Sequence, residues 1–229
     1  MCLVTCTDHP QPGLNAWDVS PDEAVAIQRD LARRVIRTGD PGDVRRIAGI
    51  DISAGRVGES GRAAVVILSY PDLAVVEVAR HEAEITFPYV PGLLSFREIP
   101  LILEAYRQIS IPPDLVLVDG QGIAHPRRLG IAAHLGLLID RPTIGCGKSR
   151  LTGRHDDPPD EPGAWTPLRS GRETIGAVLR TRSGVKPVYI SVGHRIGLDQ
   201  AIAWTIRCTR RYRLPEPIRA AHNQAGRQT

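Results

Sequence analysis

The sequence predicts a mixed α/β domain in which helices flank one central sheet. Three extended runs, at residues 45–53, 63–70 and 73–85, follow one another with only short turns between them, which is typical of a meander of antiparallel strands. Residues 114–119 then form an unbroken Leu/Val run between two Asp residues, typical of a strand buried on both faces. Helices and strands alternate after residue 93, and this order predicts additional, parallel strands in the same sheet.

The predicted elements have clear boundaries in the first half of the chain. Ser20 as N-cap, Pro21 at the first helical position and Glu23 at the third complete a capping box, so a helix is expected from there to about Thr38. The remaining predicted helices cover 93–108, 127–138 and 198–209, and the remaining strands cover 142–146, 173–180 and 187–192. A polar, proline-rich loop is expected at 153–165. Three meandering strands followed by α–β–α–β resemble the ribonuclease H-like arrangement.

The length of 229 residues favours a single catalytic domain over residues 20–214, with a poorly ordered leader at 1–19 and a basic tail at 215–229. A net charge of +4 permits an anionic partner without identifying one. The four cysteines (Cys2, Cys6, Cys146 and Cys208) lack zinc-binding spacing and are interpreted as reduced thiols. With no signal peptide and no apolar run of membrane-spanning length, a cytoplasmic protein with no membrane partner is expected.

A carboxylate at Glu98 interrupts an apolar helix face. Its neighbours on that face are Leu94, Leu101, Ile102 and Ala105, so Glu98 is predicted to be buried. Burying an unpaired carboxylate costs on the order of several kcal/mol, so Glu98 needs a partner. A cation is one candidate; an arginine or an open edge of the helix is the alternative.

Two aspartates raise the same question in strands. Ile50 and Ile52 face one side of their strand, whereas Gly49 and Asp51 face the other, where the glycine leaves room. Asp119 closes the 114–119 run, at the end of a strand where α/β proteins usually bind ligands; a turn-forming role is the alternative. Together, the three carboxylates suggest one shared Mg²⁺ ion that also contacts a phosphodiester.

Basic residues follow several of the same strands. His125 lies shortly after Asp119, with Pro126 predicted to open the next helix, and it is a candidate acid, base or phosphate ligand. Lys148 follows a Gly-Cys-Gly turn and could contact a phosphate. His194 ends the last strand. Capping and ordinary surface roles remain open for these residues and for five nearby arginines (Arg127, Arg128, Arg150, Arg154 and Arg195).

Five motifs resemble those of the endonuclease V family, from about residue 20 to 210. They are IAGID, FPYVPGLLSFRE, VLVDGQGIAHPRRLGIAAHLG, PTIGCGKSRL and ISVGHRIGLDQAI. The resemblance implies a repair nuclease that uses Mg²⁺, or Mn²⁺ in its place, to cut DNA at the second phosphodiester bond 3′ to deoxyinosine. It implies Asp51, Glu98 and Asp119 as metal ligands, and His125, Lys148 and His194 as basic neighbours of the scissile phosphate.

The resemblance also assigns the segment Pro88, Tyr89, Val90 and Pro91 as a wedge that fills the gap left by a flipped base. Restriction of the loop by the two prolines would hold the aromatic ring ready to stack. Gly92, Leu94, Gly120 and Gly122 are the predicted lining of the base pocket. The expected partner is single- or double-stranded DNA containing deoxyinosine, bound by a monomer; an inosine-specific ribonuclease and a non-catalytic inosine-binding module are the alternatives.

Overall fold

The computed structural model describes residues 14–226 and contains one eight-stranded mixed sheet, which confirms the predicted fold class. Its strands are β1 (Arg46–Ala54), β2 (Ser60–Ser69), β3 (Val75–Glu84), β4 (Leu115–Asp119), β5 (Thr143–Gly147), β6 (Trp165–Ser170), β7 (Glu173–Leu179) and β8 (Val188–His194). They are arranged in the order β3-β2-β1-β4-β5-β8-β7-β6. The pairs β1–β4 and β4–β5 are parallel, and all other neighbours are antiparallel.

The α-helices are α1 (Pro21–Leu31), α2 (Leu94–Tyr106), α3 (Ile131–Ile139), α4 (Leu198–Arg207) and α5 (Glu216–Ala225). Helices α2 to α5 pack on the two faces of the sheet, whereas Ala24 of α1 packs with Phe96 of α2. Helices α2 and α3 share a core with Ala48 and Ile50 of β1. Helices α4 and α5 share another with Ile47, because successive strand residues point to opposite faces. The end of β1 therefore lies between α2 on one face and α5 on the other.

The capping box of α1 is present, but the helix is shorter than predicted. It ends at Leu31 and is followed by a single 3₁₀ turn to Arg34. The next residues are extended: the N–H of Ile36 donates to the side chain of His194, the last residue of β8, and its carbonyl oxygen accepts from the N–H of Arg195. Tertiary hydrogen bonds and the β-branched pair Val35-Ile36 thus replace the last predicted helical turn.

Three further features differ from those predicted. Residues 125–128 form a turn, closed by a 2.9 Å hydrogen bond from the N–H of Arg128 to the carbonyl oxygen of His125, with Arg128 at φ 60°. Helix α3 therefore begins at Ile131 after Gly130 and not at Pro126. Strand β6 was not predicted, since the proline at its third position and its exposed residues conceal the strand pattern. Part of the predicted leader is packed: Trp17 stacks on His134 and contacts Phe96 edge-on. The predictions for residues 1–13, including Cys2 and Cys6, lie outside the described residues.

The predicted basic tail is the largest correction, because residues 216–225 form helix α5 on the sheet. Gly49 makes this packing possible: a Cβ atom there would lie 1.8 Å from the carbonyl oxygen of Pro217. Ile218 and Ala221 are completely buried beneath the helix. The room that Gly49 leaves beside Asp51 is therefore filled by the backbone of α5.

Cys146 and Cys208 are buried free thiols, in agreement with the sequence prediction. Across residues 14–226, none of the helices has both the length and the apolar character needed to cross a membrane.

Candidate metal centre and adjoining cavity

Asp51 and Asp119 meet because β1 and β4 are adjacent parallel strands. Ile50 is in register with Val118, which places the next residue of each strand side by side at the same edge of the sheet. Both aspartate side chains are 10% exposed. Asp51 accepts a 2.8 Å hydrogen bond from the backbone N–H of Ile52, which fixes its orientation.

His222 of α5 completes a cluster with these two aspartates. Its Nδ1 lies 2.7 Å from Asp51 Oδ2. One ligand atom from each of Asp51, Asp119 and His222 lies within 4.8 Å of the other two, a spacing suited to one shared cation. Sequence reasoning missed His222 because it treated this segment as a tail. The apolar spacing Ile218, Ala221, Ala225 after a proline-containing start would have indicated a helix.

Glu98 of α2 approaches the same cluster from the other face of the sheet. It is buried as predicted, and burial together with the charge of Asp51 raises the pKa of Glu98 to about 8, despite the opposing charge of Arg97. Arg97 itself donates hydrogen bonds to the carbonyl oxygens of Phe87 and Gly55. Glu98 is thus a carboxyl group held near two other carboxylates, where a bound cation would favour its ionised form.

Lys148 is the basic member of the centre. Its Nζ lies 2.5 Å from Asp119 Oδ2, and the rest of the side chain is partly exposed after the end of β5. Burial and the neighbouring charge of Asp51 raise the pKa of Asp119, although the ion pair with Lys148 opposes this. An ammonium group at this position can contact a phosphate oxygen that approaches the cluster.

A cavity of about 330 Å³ adjoins the cluster on the α2–α3 face. Among its lining residues are Tyr89, Val90, Pro91, Gly92, Leu94, Gly120, Gln121 and His125, together with Asp119 and Lys148 of the centre. Tyr89 is 71% exposed at the rim of the cavity. Gly122, in contrast, is enclosed: a Cβ atom there would lie 2.0 Å from the carbonyl oxygen of Val192, so this glycine permits packing and does not line the cavity.

The turn that carries Tyr89 is held by more than its prolines. Three side chains donate hydrogen bonds to the carbonyl oxygen of Gly92: Gln28 at 2.9 Å, His125 at 3.0 Å and Arg127 at 2.8 Å. Gly92 adopts φ 82°, a conformation that side chains rarely accept. Gln28, which sequence reasoning did not identify, therefore holds the turn that carries Tyr89 in place from α1.

His125 has both ring nitrogens engaged. Nδ1 accepts from the N–H of Arg127 at 3.1 Å, so Nε2 carries the proton that bonds to Gly92. Burial and the charge of Arg127 lower the pKa of His125 to about 4. A neutral imidazole with this tautomer positions the turn; it is not arranged to take up a proton.

The structure does not bring His194 to the cluster. Strand β8 is antiparallel to β5, so the carboxyl end of β8 pairs with Thr143 at the start of β5 and lies at the opposite end of the sheet. There His194 Nδ1 accepts from the N–H of Ile36, and Nε2 lies 3.3 Å from Asp140. The family resemblance implied His194 as a neighbour of the scissile phosphate, whereas the antiparallel pairing of β8 with β5 places it away from Asp51 and Asp119.

A family model described as endonuclease V matches residues 29–223. The chain belongs to the endonuclease V family. Two curated relatives are endonuclease V of Dehalococcoides mccartyi, 52% identical over 91% of this chain and 94% of the relative, and that of Gloeobacter violaceus, 53% identical over 92% and 87%. The family assigned from the sequence motifs is confirmed, and with it a DNA repair nuclease that acts on phosphodiester bonds.

Solved structures of endonuclease V have the same architecture. The enzyme from Streptomyces avermitilis superposes with a TM-score of 0.86 at 44% identity, covering 92% of this chain and 93% of that one. A structure from Ciona intestinalis, in complex with a 24mer DNA that contains an inosine followed by a ribo-adenosine, has a TM-score of 0.78 at 27% identity, covering 89% and 95%.

Proposed function

We propose that this protein recognises deoxyinosine in DNA and hydrolyses the second phosphodiester bond 3′ to it, leaving a 3′-hydroxyl and a 5′-phosphate. The main support is the position of a carboxylate–histidine cluster directly beside a base-sized cavity with an exposed tyrosine at its rim. The complex of the Ciona relative with inosine-containing DNA points to the same substrate.

Asp51, Asp119 and His222 would hold a divalent cation, with Glu98 as a neighbouring carboxylate. A Mg²⁺ or Mn²⁺ ion here would polarise the phosphoryl oxygen and lower the pKa of a water. The imidazole nitrogen in an otherwise oxygen-rich ligand set favours Mn²⁺ more than three carboxylates would. Lys148 would neutralise a phosphate oxygen on the side of Asp119.

The cavity and Tyr89 would together stabilise a flipped base. Extruding a base from the duplex costs about a few kcal/mol, and the cost is lowest for a mispaired base such as hypoxanthine. Stacking of an aromatic ring in the vacated position recovers roughly 1–3 kcal/mol. Three side chains donate to the carbonyl oxygen of Gly92, so the turn is already ordered and its ordering adds little entropy cost to DNA binding.

A nicking assay tests the proposal directly. Matched labelled DNA and RNA strands, each with a single inosine and in single- and double-stranded form, are incubated with Mg²⁺, Mn²⁺ or EDTA. The expected product is a cation-dependent cut of DNA one nucleotide beyond deoxyinosine, lost in Asp51→Asn. Cutting of RNA alone would assign the protein to RNA processing, and tight binding without a cut would leave only a binding module.

The wedge is tested by comparing Tyr89→Ala with Tyr89→Phe. The alanine variant is expected to lower kcat/KM on inosine DNA about tenfold through lost stacking, whereas phenylalanine keeps most of the rate. Equal loss in both variants would show that the hydroxyl, and not the ring, is the functional group.

A further inference from the structure

We propose that a basic and aromatic surface beside the metal centre binds the part of the substrate strand that continues 3′ of the scissile bond. This downstream patch consists of Arg211, Tyr212, Arg213 and Arg219. The inference rests on the proposed function, since it extends the binding surface of the same site. Residues 207–215 contain four arginines and no acidic residue, which suits a polyanionic partner.

The downstream patch is continuous with the metal centre. The guanidinium of Arg213 donates to the carbonyl oxygen of Lys148 at 2.6 Å and to that of Pro187 at 2.8 Å. Arg219 precedes His222 by three residues on α5, so the two side chains lie one helical turn apart on the same face. A strand bound at the cluster would therefore pass beside these arginines as it continues.

Tyr212 offers an aromatic surface that is already oriented. The guanidinium carbon of Arg219 lies 3.3 Å from the centroid of its ring, and the residue remains 51% exposed. Arg219 is itself held by Glu216 at 2.9 Å. One face of the ring is thus supported by a cation, which leaves the other available for stacking with a base.

The backbone of the downstream patch is fixed by neighbouring elements. Thr181 donates to the carbonyl oxygen of Arg213 at 2.7 Å, and Arg182 donates to that of Arg211. Arg210 donates in turn to the carbonyl oxygen of Pro71 at 2.9 Å. Because the segment is ordered before binding, contacts with a nucleic acid cost less conformational entropy.

The position of the downstream patch gives the polarity of the bound strand. The base cavity is lined by residues of α2 and α3 on one face of the sheet, whereas the patch adjoins α5 on the opposite face. With the lesion in the cavity and the scissile phosphate at the cluster, the strand leaves towards α5. Since the proposed cut is 3′ of the lesion, the departing nucleotides are the downstream ones.

The test compares two inosine DNA strands of equal sequence, one with eight nucleotides beyond the scissile bond and one with a single nucleotide. Tyr212→Ala and Arg211→Ala are measured against wild type and against Arg172→Ala, a matched exposed arginine in the β6–β7 turn at the other end of the sheet. On the long strand, Tyr212→Ala is expected to lower kcat/KM roughly five- to tenfold. On the short strand the ratio of wild-type to variant rates should fall close to one.

The Arg211 variant supplies a second readout that does not depend on the packing of Tyr212. Its binding to the long strand is expected to have a salt slope smaller by about 0.7 than that of wild type, the change for one lost phosphate contact on a single strand. Equal losses on both strand lengths, or an equal change in Arg172→Ala, would overturn the inference. If wild type cuts neither strand, the proposed function itself fails.

Discussion

Both ends of the sheet carry clusters of acidic and basic side chains. At one end carboxylates lie beside one another, whereas at the other end each carboxylate lies beside a basic group. At the carboxyl end of β1 and β4, Asp51, Glu98 and Asp119 lie together, and the pKa of Glu98 and of Asp119 is raised, by burial and by neighbouring carboxylates. At the other end, Asp140 is paired with Arg195 and His194.

The carboxyl pKa values are shifted in opposite directions at the two ends: they are raised at the first end and lowered at the second. Ion pairing outweighs burial at the second end and lowers the pKa of Asp140; Glu173, bound by Arg37 and Arg128, is shifted in the same direction. Carboxylates that are matched by arginines stabilise the fold. Carboxylates that raise one another's pKa destabilise it unless a cation joins them, which is a signature of a functional site.

The largest expected difference between the ends is in activity. Asp119→Asn should lower the nicking rate by about a thousandfold or more, because it removes one cluster ligand and the ion-pair partner of Lys148. Asp140→Asn should leave the rate within about twofold. Single-turnover nicking rates of the two variants on the same inosine strand test this difference. A comparable loss of rate in both variants would contradict the functional distinction between the two ends.

The two histidines sharpen the same comparison. His222→Ala is expected to raise the Mn²⁺ concentration needed for half-maximal nicking by at least roughly 10–100-fold, the range that loss of a residue supporting a metal ligand already produces. His194→Ala should leave that concentration unchanged and instead lower the free energy of unfolding by about 1–2 kcal/mol, since the N–H of Ile36 loses its partner. Cation titrations and urea unfolding of both variants distinguish the roles.

Stability should depend on pH in opposite directions at the two ends. In EDTA, folded Glu98 keeps a proton up to about pH 8 that the unfolded chain releases near pH 4.5, so its contribution to stability is lost as pH rises through this window. Glu98→Gln should therefore raise the free energy of unfolding at pH 8 by on the order of 3 kcal/mol, and by little at pH 5. Urea unfolding at the two pH values checks this; equal effects would show that the carboxyl is not protonated.

The smallest effect is expected from Asp140→Asn on stability. Asp140 has φ 50°, a conformation that asparagine also adopts, so the substitution isolates the charge. Because the side chain is 43% exposed, the loss should be only about 0.5 kcal/mol at neutral pH. Because the pKa of Asp140 is lowered in the folded protein, this contribution to stability is lost as the pH falls through that folded-state pKa. Urea unfolding of both proteins at acidic pH would show the loss.

Sequence patterns were sufficient for the parts of the site that depend on local periodicity. The alternation around Asp51, the apolar face around Glu98 and the strand end at Asp119 each placed a carboxylate correctly in its element, and the structure joins the first and last through parallel pairing. The patterns were not sufficient for His194, because the direction of β8 depends on its neighbours. They were not sufficient for Gln28 either, whose hydrogen bonds reach Gly92 across 64 positions of the chain.

The sequence by itself determined the mixed α/β architecture, the family and the elements that carry the three carboxylates, since strand alternation, helix periodicity and long motifs are local properties of the chain. Only the tertiary structure decided which basic groups accompany them. His222 joins the cluster because Gly49 admits the backbone of α5, and His194 leaves it because β8 runs antiparallel to β5. Contacts of this kind depend on packing between distant segments, which no local pattern records.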